Sequence, residues 1–208
     1  MFGNKPILIC CPLPPDYRAD SRVVAQLEDW ATDINVTTYY PPSGDAQVGR
    51  DMAVELAQYM RPRPNHILFV DYDVLPRVGT LKKLLAHNKD IVSGVYPTIQ
   101  RSEVSWCLSR EDPFRLLPIE DLPEDLFKST TLSMGMCLVK MEVFDKLEWP
   151  YWDKKFKPGS MTVGEDIYFC QKARKAGYDL WVDPKLKCHH FKNVDLLGIA
   201  MKLKGNTQ

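Results

Sequence analysis

Apolar runs and amphipathic stretches alternate along the first half of the chain. Residues 6–11 form a first apolar run closed by Pro12, Pro14 and Pro15, and 21–30 then carries Val23, Val24, Leu27 and Trp30 at helical spacing. A strand is predicted over 35–40, stopped by Pro41, Pro42 and Gly44, and a helix over 48–59, closed by Pro62 and Pro64. The run that starts at His66 is apolar throughout, as a strand buried on both faces reads, and it ends in Asp71-Tyr72-Asp73. A short helix over 81–87 and a strand over 90–96 follow. This succession predicts an α/β fold with a mostly parallel central sheet flanked by helices.

The second half is less regular. Residues 98–131 read as an irregular, proline-bearing excursion with Trp106, Phe114 and an acidic stretch around Glu120 and Asp121. Order returns with a strand over 132–139, whose Gly135 marks a close backbone approach, and a short helix over 141–147. A loop rich in aromatic and basic residues comes next, holding Trp149, Tyr151, Trp152, Lys154, Lys155, Phe156 and Lys157. Glu165 and Asp166 then open a helix that ends at Gly177, a strand follows over 179–182, and the chain reaches Cys188-His189-His190. The expected division is 1–97 as a ligand-binding half, 98–131 as the excursion and 132–208 as a second half.

Composition narrows the classes. With 208 residues and 45% hydrophobic content the chain buries a proper core as one domain. Lysine plus arginine balances aspartate plus glutamate at 27 each, so no global attraction to nucleic acid or anionic lipid exists, although Lys185, Lys187, Lys192, Lys202 and Lys204 make one end locally basic. The six cysteines lack a CxxC pair and lie mostly in apolar patterns, which reads as reduced thiols in a cytoplasmic protein. No signal peptide is expected at the start, and no apolar run approaches the roughly 18 residues that cross a bilayer.

Three features ask for one explanation: Asp71-x-Asp73 at a strand end, Glu165-Asp166 at a helix start and a late histidine pair. In open α/β sheets ligands bind at the carboxyl ends of the strands. Carboxylate oxygens suit Mg²⁺ or Mn²⁺, imidazole tilts the choice towards Mn²⁺, and a divalent ion holding a diphosphate offsets charge as that group leaves. Taken singly each feature has a bland reading, as a solvated loop, helix-dipole compensation or surface histidines. Together, in this order, they point to a metal site.

In these residues the chain resembles the GT-A fold glycosyltransferases, in particular the compact family-2-like enzymes of bacteria and phages. The pieces are Phe69-Val70-Asp71-Tyr72-Asp73 as the DxD motif, Ser133 to Val139 as the Gly-bearing strand, Gly164-Glu165-Asp166 as the xED motif and His189-His190 as the late metal histidine. Two positions depart from the common pattern, Arg50-Asp51 in place of Arg-Asn and Cys188-His189-His190 in place of Cys-Gly-His. The resemblance implies a single Rossmann-like domain that takes a nucleotide-diphosphate sugar, UDP-sugar favoured, with Mn²⁺ or Mg²⁺ at its phosphates. It implies Asp73 and His190 as metal ligands, and Asp71 at the ribose or at the metal through water. Cys11, Pro12, Arg18, Arg50 and Tyr72 would meet the nucleotide. Asp166 would be the general base of an inverting transfer, with Glu165 orienting hydroxyls. Trp106, Met134, Gly135 and Trp152 are the expected acceptor contacts, for a glycan or a modified base in phage DNA. Two other readings fit parts of the pattern. One is a phosphatase of the HAD type with Asp71 as nucleophile, which lacks the usual downstream carboxylate spacing; the other is a non-catalytic nucleotide-sugar-binding module.

Overall fold

A computed structural model describes residues 6–33, 35–100, 103–111, 114–154 and 164–192. The elements in chain order are β1 (Ile7–Cys10), α1 (Ser21–Trp30), β2 (Val36–Tyr39), α2 (Ala46–Tyr59), β3 (His66–Val70), β4 (Val74–Leu75), α3 (Thr80–Ala86) and β5 (Ile91–Val95). They continue with β6 (Pro97–Gln100), β7 (Glu103–Trp106), β8 (Leu117–Pro118), β9 (Phe127–Ser129), β10 (Met136–Lys140), α4 (Met141–Lys146), α5 (Glu165–Lys175), β11 (Leu180–Lys187) and β12 (His189–His190).

The central sheet has seven strands in the order β2-β1-β3-β10-β5-β11-β9. β1 pairs parallel with both β2 and β3, and β5 with β11, whereas β10 is antiparallel to its neighbours β3 and β5, and β9 to β11. Most strands therefore point one way and the sheet is mostly parallel, an α/β single domain similar to the GT-A fold. Its central strands are buried on both faces, and alternate side chains feed two cores. Leu8, Ile67, Phe69 and Val139 pack with Ala53 and Val54 of α2, Phe144 of α4 and Phe169 of α5. Ile7, Ile9, Leu68, Val70 and Leu138 pack on the other side with Val23 and Leu27 of α1 and Leu81 and Leu84 of α3.

Local signals account for the helix starts that flank the site. Asp20 caps α1 by accepting from the Arg22 amide, and Asp45 caps α2 by accepting from the amides of Gln47 and Val48. α1 covers the residues that its spacing predicts, while α2 begins two residues earlier than its spacing predicts, at Ala46, because Asp45 caps it there.

The largest departure from the sequence reading is the stretch 98–131. It builds most of a second, three-stranded sheet, β6-β7-β8, and contributes β9 to the edge of the central one. These strands are two to four residues long, and their pairing partners are distant, so no periodicity announces them. The strand predicted over 132–139 begins only at Met136, because Ser133, Met134 and Gly135 turn towards the sheet end and serve the site.

Candidate active site

The strand ends place the chemistry. β1, β3, β5 and β11 deliver their carboxyl ends to one edge of the sheet, and antiparallel β10 delivers its amino end there. Asp71 and Asp73 thereby meet Tyr96, the segment Ser133 to Gly135 and His190. β1 lies between β2 and β3, which leave on opposite sides, the arrangement that opens a ligand crevice.

Arg50 organises one half of the site. It is 2% exposed, and from α2 it reaches Asp166 Oδ1 with Nη1 at 2.6 Å and Asp71 Oδ1 with Nη2 at 2.9 Å, while Glu165 Oε1 lies 3.8 Å from Nη1. Burial works against its charge, but Asp166 and Asp71 outweigh it and hold the guanidinium more firmly protonated than usual. α2 approaches this closely because of Gly49, where a side chain would collide with Pro41 and crowd Pro12.

The second oxygen of Asp166 accepts from the Ser133 hydroxyl at 3.2 Å and from the Met134 amide at 3.1 Å. Ser133 in turn contacts the Tyr96 hydroxyl, and that hydroxyl accepts from the Gly135 amide at 3.1 Å. Because Ser133 spends its proton on Asp166, Tyr96 donates to Ser133, which orders the relay Gly135 to Tyr96 to Ser133 to Asp166. Burial, helped by the charge of Asp71, pushes the Tyr96 hydroxyl well above its ordinary value, so it keeps the proton that it donates. A carboxylate offers about four lone-pair positions, and these contacts fill three. The open one on Oδ1 is available to a hydroxyl.

Asp73 belongs to the other half. Its Oδ1 lies 3.5 Å from His190 Nε2 and its Oδ2 accepts from Lys192 Nζ at 2.6 Å. Burial disfavours its charge, but the hydrogen bonds from His190 and Lys192 and the charge of Lys192 outweigh that and hold the carboxyl below its ordinary range. β12 pairs antiparallel with β4, with His190 opposite Val74, and this small ladder brings the histidine back to the aspartate. His190 Nδ1 lies 2.6 Å from the Pro97 carbonyl, and a carbonyl only accepts, so Nδ1 carries a proton; Nε2 then donates to Asp73 when the ring is protonated and turns a lone pair towards it when the ring is neutral.

This pair passes a test for a divalent cation. Two electron-rich groups face each other, the imidazole is oriented by a backbone carbonyl as metal-bound histidines are, and the ammonium of Lys192 already stands where positive charge is wanted. Among the described residues no group of three carboxylates, histidines or cysteines converges, so any cation held here would have only Asp73 and His190 as close protein ligands. Asp71 is engaged by Arg50 instead.

Two clefts meet at this edge. One of about 970 Å³ is lined by Arg18, Arg22, Tyr72, Asp73, His190 and Lys192, and one of about 290 Å³ by Pro12, Asp45, Arg50, Asp71, Glu165 and Asp166, with Tyr72, Asp73 and Lys192 common to both. Pro12, Arg18, Arg50 and Tyr72, read as nucleotide contacts, line these clefts, whereas Cys11 is fully buried and burial pushes its thiol up to about 12, so it is a core residue. Lys192, Ser133 and Tyr96 complete the site and were outside the reading of its residues; the signal for Ser133 was its place two residues before the glycine that Asp71 requires.

Of the expected acceptor contacts, Trp106, Met134 and Trp152 turn their side chains into the core. Trp152 is 0% exposed, stacked on Phe169 and edge-on to Phe69, and Trp106 and Met134 are buried as well. Gly135 is buried against Asp71 and Tyr96, where it admits their approach. Of the aromatic loop, Tyr151 also turns inward and Trp149 stays exposed, because the apolar rings fill the gap between α4 and α5. Lys155, Phe156 and Lys157 lie outside the described residues, as do Lys202 and Lys204. All six cysteines are free thiols. Among the described residues no helix is long and apolar enough to cross a membrane.

No model of a protein family matches the chain, and no curated protein matches it. Solved structures do. A197 from STIV superposes with a TM-score of 0.64 at 19% identity, over 90% of this chain and 86% of that one. GalNAc-T7 with UDP, GalNAc and Mn²⁺ superposes with a TM-score of 0.57 at 10% identity, over 93% of this chain and 45% of that chain. The likeness is one of fold, and the chain spans less than half of the GalNAc-T7 chain.

Proposed function

We propose that this protein is a metal-dependent glycosyltransferase that moves a sugar from a nucleotide-diphosphate sugar, UDP-sugar favoured, to an acceptor hydroxyl with inversion. The observation that carries the reading is the division of labour around the shared cleft. A carboxylate with one open lone pair, Asp166, stands at one end and a cation-ready pair, Asp73 and His190, at the other. The GT-A-like fold supports it, and so does the UDP and Mn²⁺ of the GalNAc-T7 structure.

Asp166 takes the acceptor proton through its open position while Arg50, Ser133 and Met134 fix the carboxylate in place. Glu165, loosely held by Arg50, orients hydroxyls. Asp73 and His190 would hold Mn²⁺ or Mg²⁺, and Lys192 moves from Asp73 to the diphosphate. The bound ion supplies charge stabilisation to the leaving group. Arg18 adds positive charge on the same side, where Arg22 is already paired with Asp20, and Pro12 and Tyr72 frame the nucleotide. The lack of a membrane-crossing helix among the described residues is compatible with a cytoplasmic enzyme.

The test is thermal stability and calorimetry with Mn²⁺ and a panel of UDP-, GDP-, CMP- and TDP-sugars. One nucleotide should raise the melting temperature only in the presence of the metal. That shift should vanish in Asp73→Asn and in His190→Ala; a silent panel would defeat the reading.

A further inference from the structure

Lys192 follows the short strand that carries His190, and its side chain lines both clefts of the site. Its Nζ donates to Asp73 Oδ2 at 2.6 Å, while His190 Nε2 lies 3.5 Å from the other oxygen of the same carboxylate. Asp73 and His190 are largely buried side chains, whereas that of Lys192 is half exposed. Its backbone is anchored next door. The Phe191 amide donates to the Asp73 carbonyl at 2.8 Å, and the Arg22 guanidinium lies 3.6 Å from the centre of the Phe191 ring. The base of the lysine is thus fixed beside Asp73, and the ammonium swings on a flexible four-carbon stem.

Ammonium and divalent ion compete for this carboxylate. An ion shared by Asp73 and His190 would stand within a few ångströms of the ammonium, and like charges that close repel strongly in a partly buried setting. The lysine must therefore leave as the ion enters, and an anion in the adjoining cleft is what draws it away. We infer that Lys192 sets the ligand requirement of the cation site: it guards Asp73 against a lone divalent ion, so that ion and nucleotide bind as a pair and only a nucleoside diphosphate suffices. This role rests on the transferase reading above.

Counting charges selects the diphosphate. A ligand with two phosphates gives one to the ion and one to the displaced ammonium. A single phosphate serves one of them and leaves the other positive charge crowded against it. Among nucleotide-sugars, those built on UDP, GDP or TDP meet the requirement and those built on CMP do not. A solvated ion pair with no such role would contribute little and could be deleted without consequence. Asp73 differs from that case, because burial opposes its charge and Lys192 is one of the two side chains that sustain it. Taking the lysine away leaves a buried carboxylate with less compensation and a stronger demand for another cation.

Calorimetry of Mn²⁺, UDP and UMP, each alone and in the presence of the partner ligand, reads the coupling in the full chain and in Lys192→Met, Lys192→Gln and Lys192→Arg. In the parent, UDP should tighten Mn²⁺ binding by a factor of about 100, and UMP by less than about tenfold. The two neutral variants should bind Mn²⁺ alone about tenfold more tightly than the parent, and the gap between UDP and UMP should close to within about threefold. Lys192→Arg keeps the charge and should bind Mn²⁺ alone as weakly as the parent, which a merely structural role would not predict. Unchanged Mn²⁺ affinity in both neutral variants, or UMP coupling as strong as UDP coupling in the parent, would overturn the assignment; with Mn²⁺-dependent UDP binding intact, the transferase reading would stand. A gain in Mn²⁺ affinity in the neutral variants with no UDP binding by any of the proteins would uphold the competition for Asp73 and defeat the transferase.

Discussion

Arg50 of α2 and Asp166 of α5 are 116 residues apart in sequence, and their side chains meet at 2.6 Å. The same guanidinium holds Asp71, so one buried cation fixes carboxylates from both halves of the site. Replacing it by a neutral side chain leaves Asp71, Glu165 and Asp166 facing one another without compensation. Arg50→Met should cost about 3 kcal/mol in urea unfolding, in the range for breaking a buried pair from one side. Arg50→Lys should recover only part, since an ammonium cannot span two carboxylates as a fork does.

Asp166→Asn removes the proton acceptor and keeps the shape. Turnover should fall by a factor of about 10² to 10⁴, the usual span for loss of a general base, with the affinity for nucleotide and metal within about twofold of the parent. Single-turnover kinetics and calorimetry separate the two quantities, and unchanged turnover would remove Asp166 from the role of base.

Gly135 has no room for a side chain: a Cβ there would come under 3.0 Å from both Tyr96 Oη and Asp71 Oδ2. Gly135→Ala should therefore destabilise the fold by about 1–3 kcal/mol, as overpacking does. It should also impair catalysis more than stability alone explains, because both displaced groups belong to the site. Melting curves together with turnover below the transition provide the comparison.

Asp51, next to Arg50, is pushed up to about 6 by burial, against the amide of Tyr151 and the charge of Lys172, which pull it down. The folded state then binds more protons than the unfolded state between pH 4 and 6, so this group makes the protein less stable as pH rises through that window, with no further change above it. For a fully buried carboxyl such a displacement corresponds to about 3 kcal/mol, and at this half-buried one solvent screening reduces it. Asp51→Asn should raise stability at pH 8 by a part of that amount and change little at pH 4, as paired unfolding curves at the two values would show.

The sequence by itself determined the elements whose partners are close in the chain. The helix 21–30 was legible because its spacing and its Asp20 cap are local, and β3 was legible because a strand buried on both faces is apolar throughout. The carboxylates of Asp71-x-Asp73 and Glu165-Asp166 were visible because each motif is contiguous. Tertiary structure decided everything that depends on distant pairing: the reversed direction of β10, the short strands of 98–131, and the meeting of Arg50 with Asp166 and of His190 with Asp73. It also decided which aromatics face inward. Trp152 sits in a basic, aromatic run that reads like a stacking surface, yet it fills the core between Phe69 and Phe169, because the burial of a large ring is set by the space other elements leave for it.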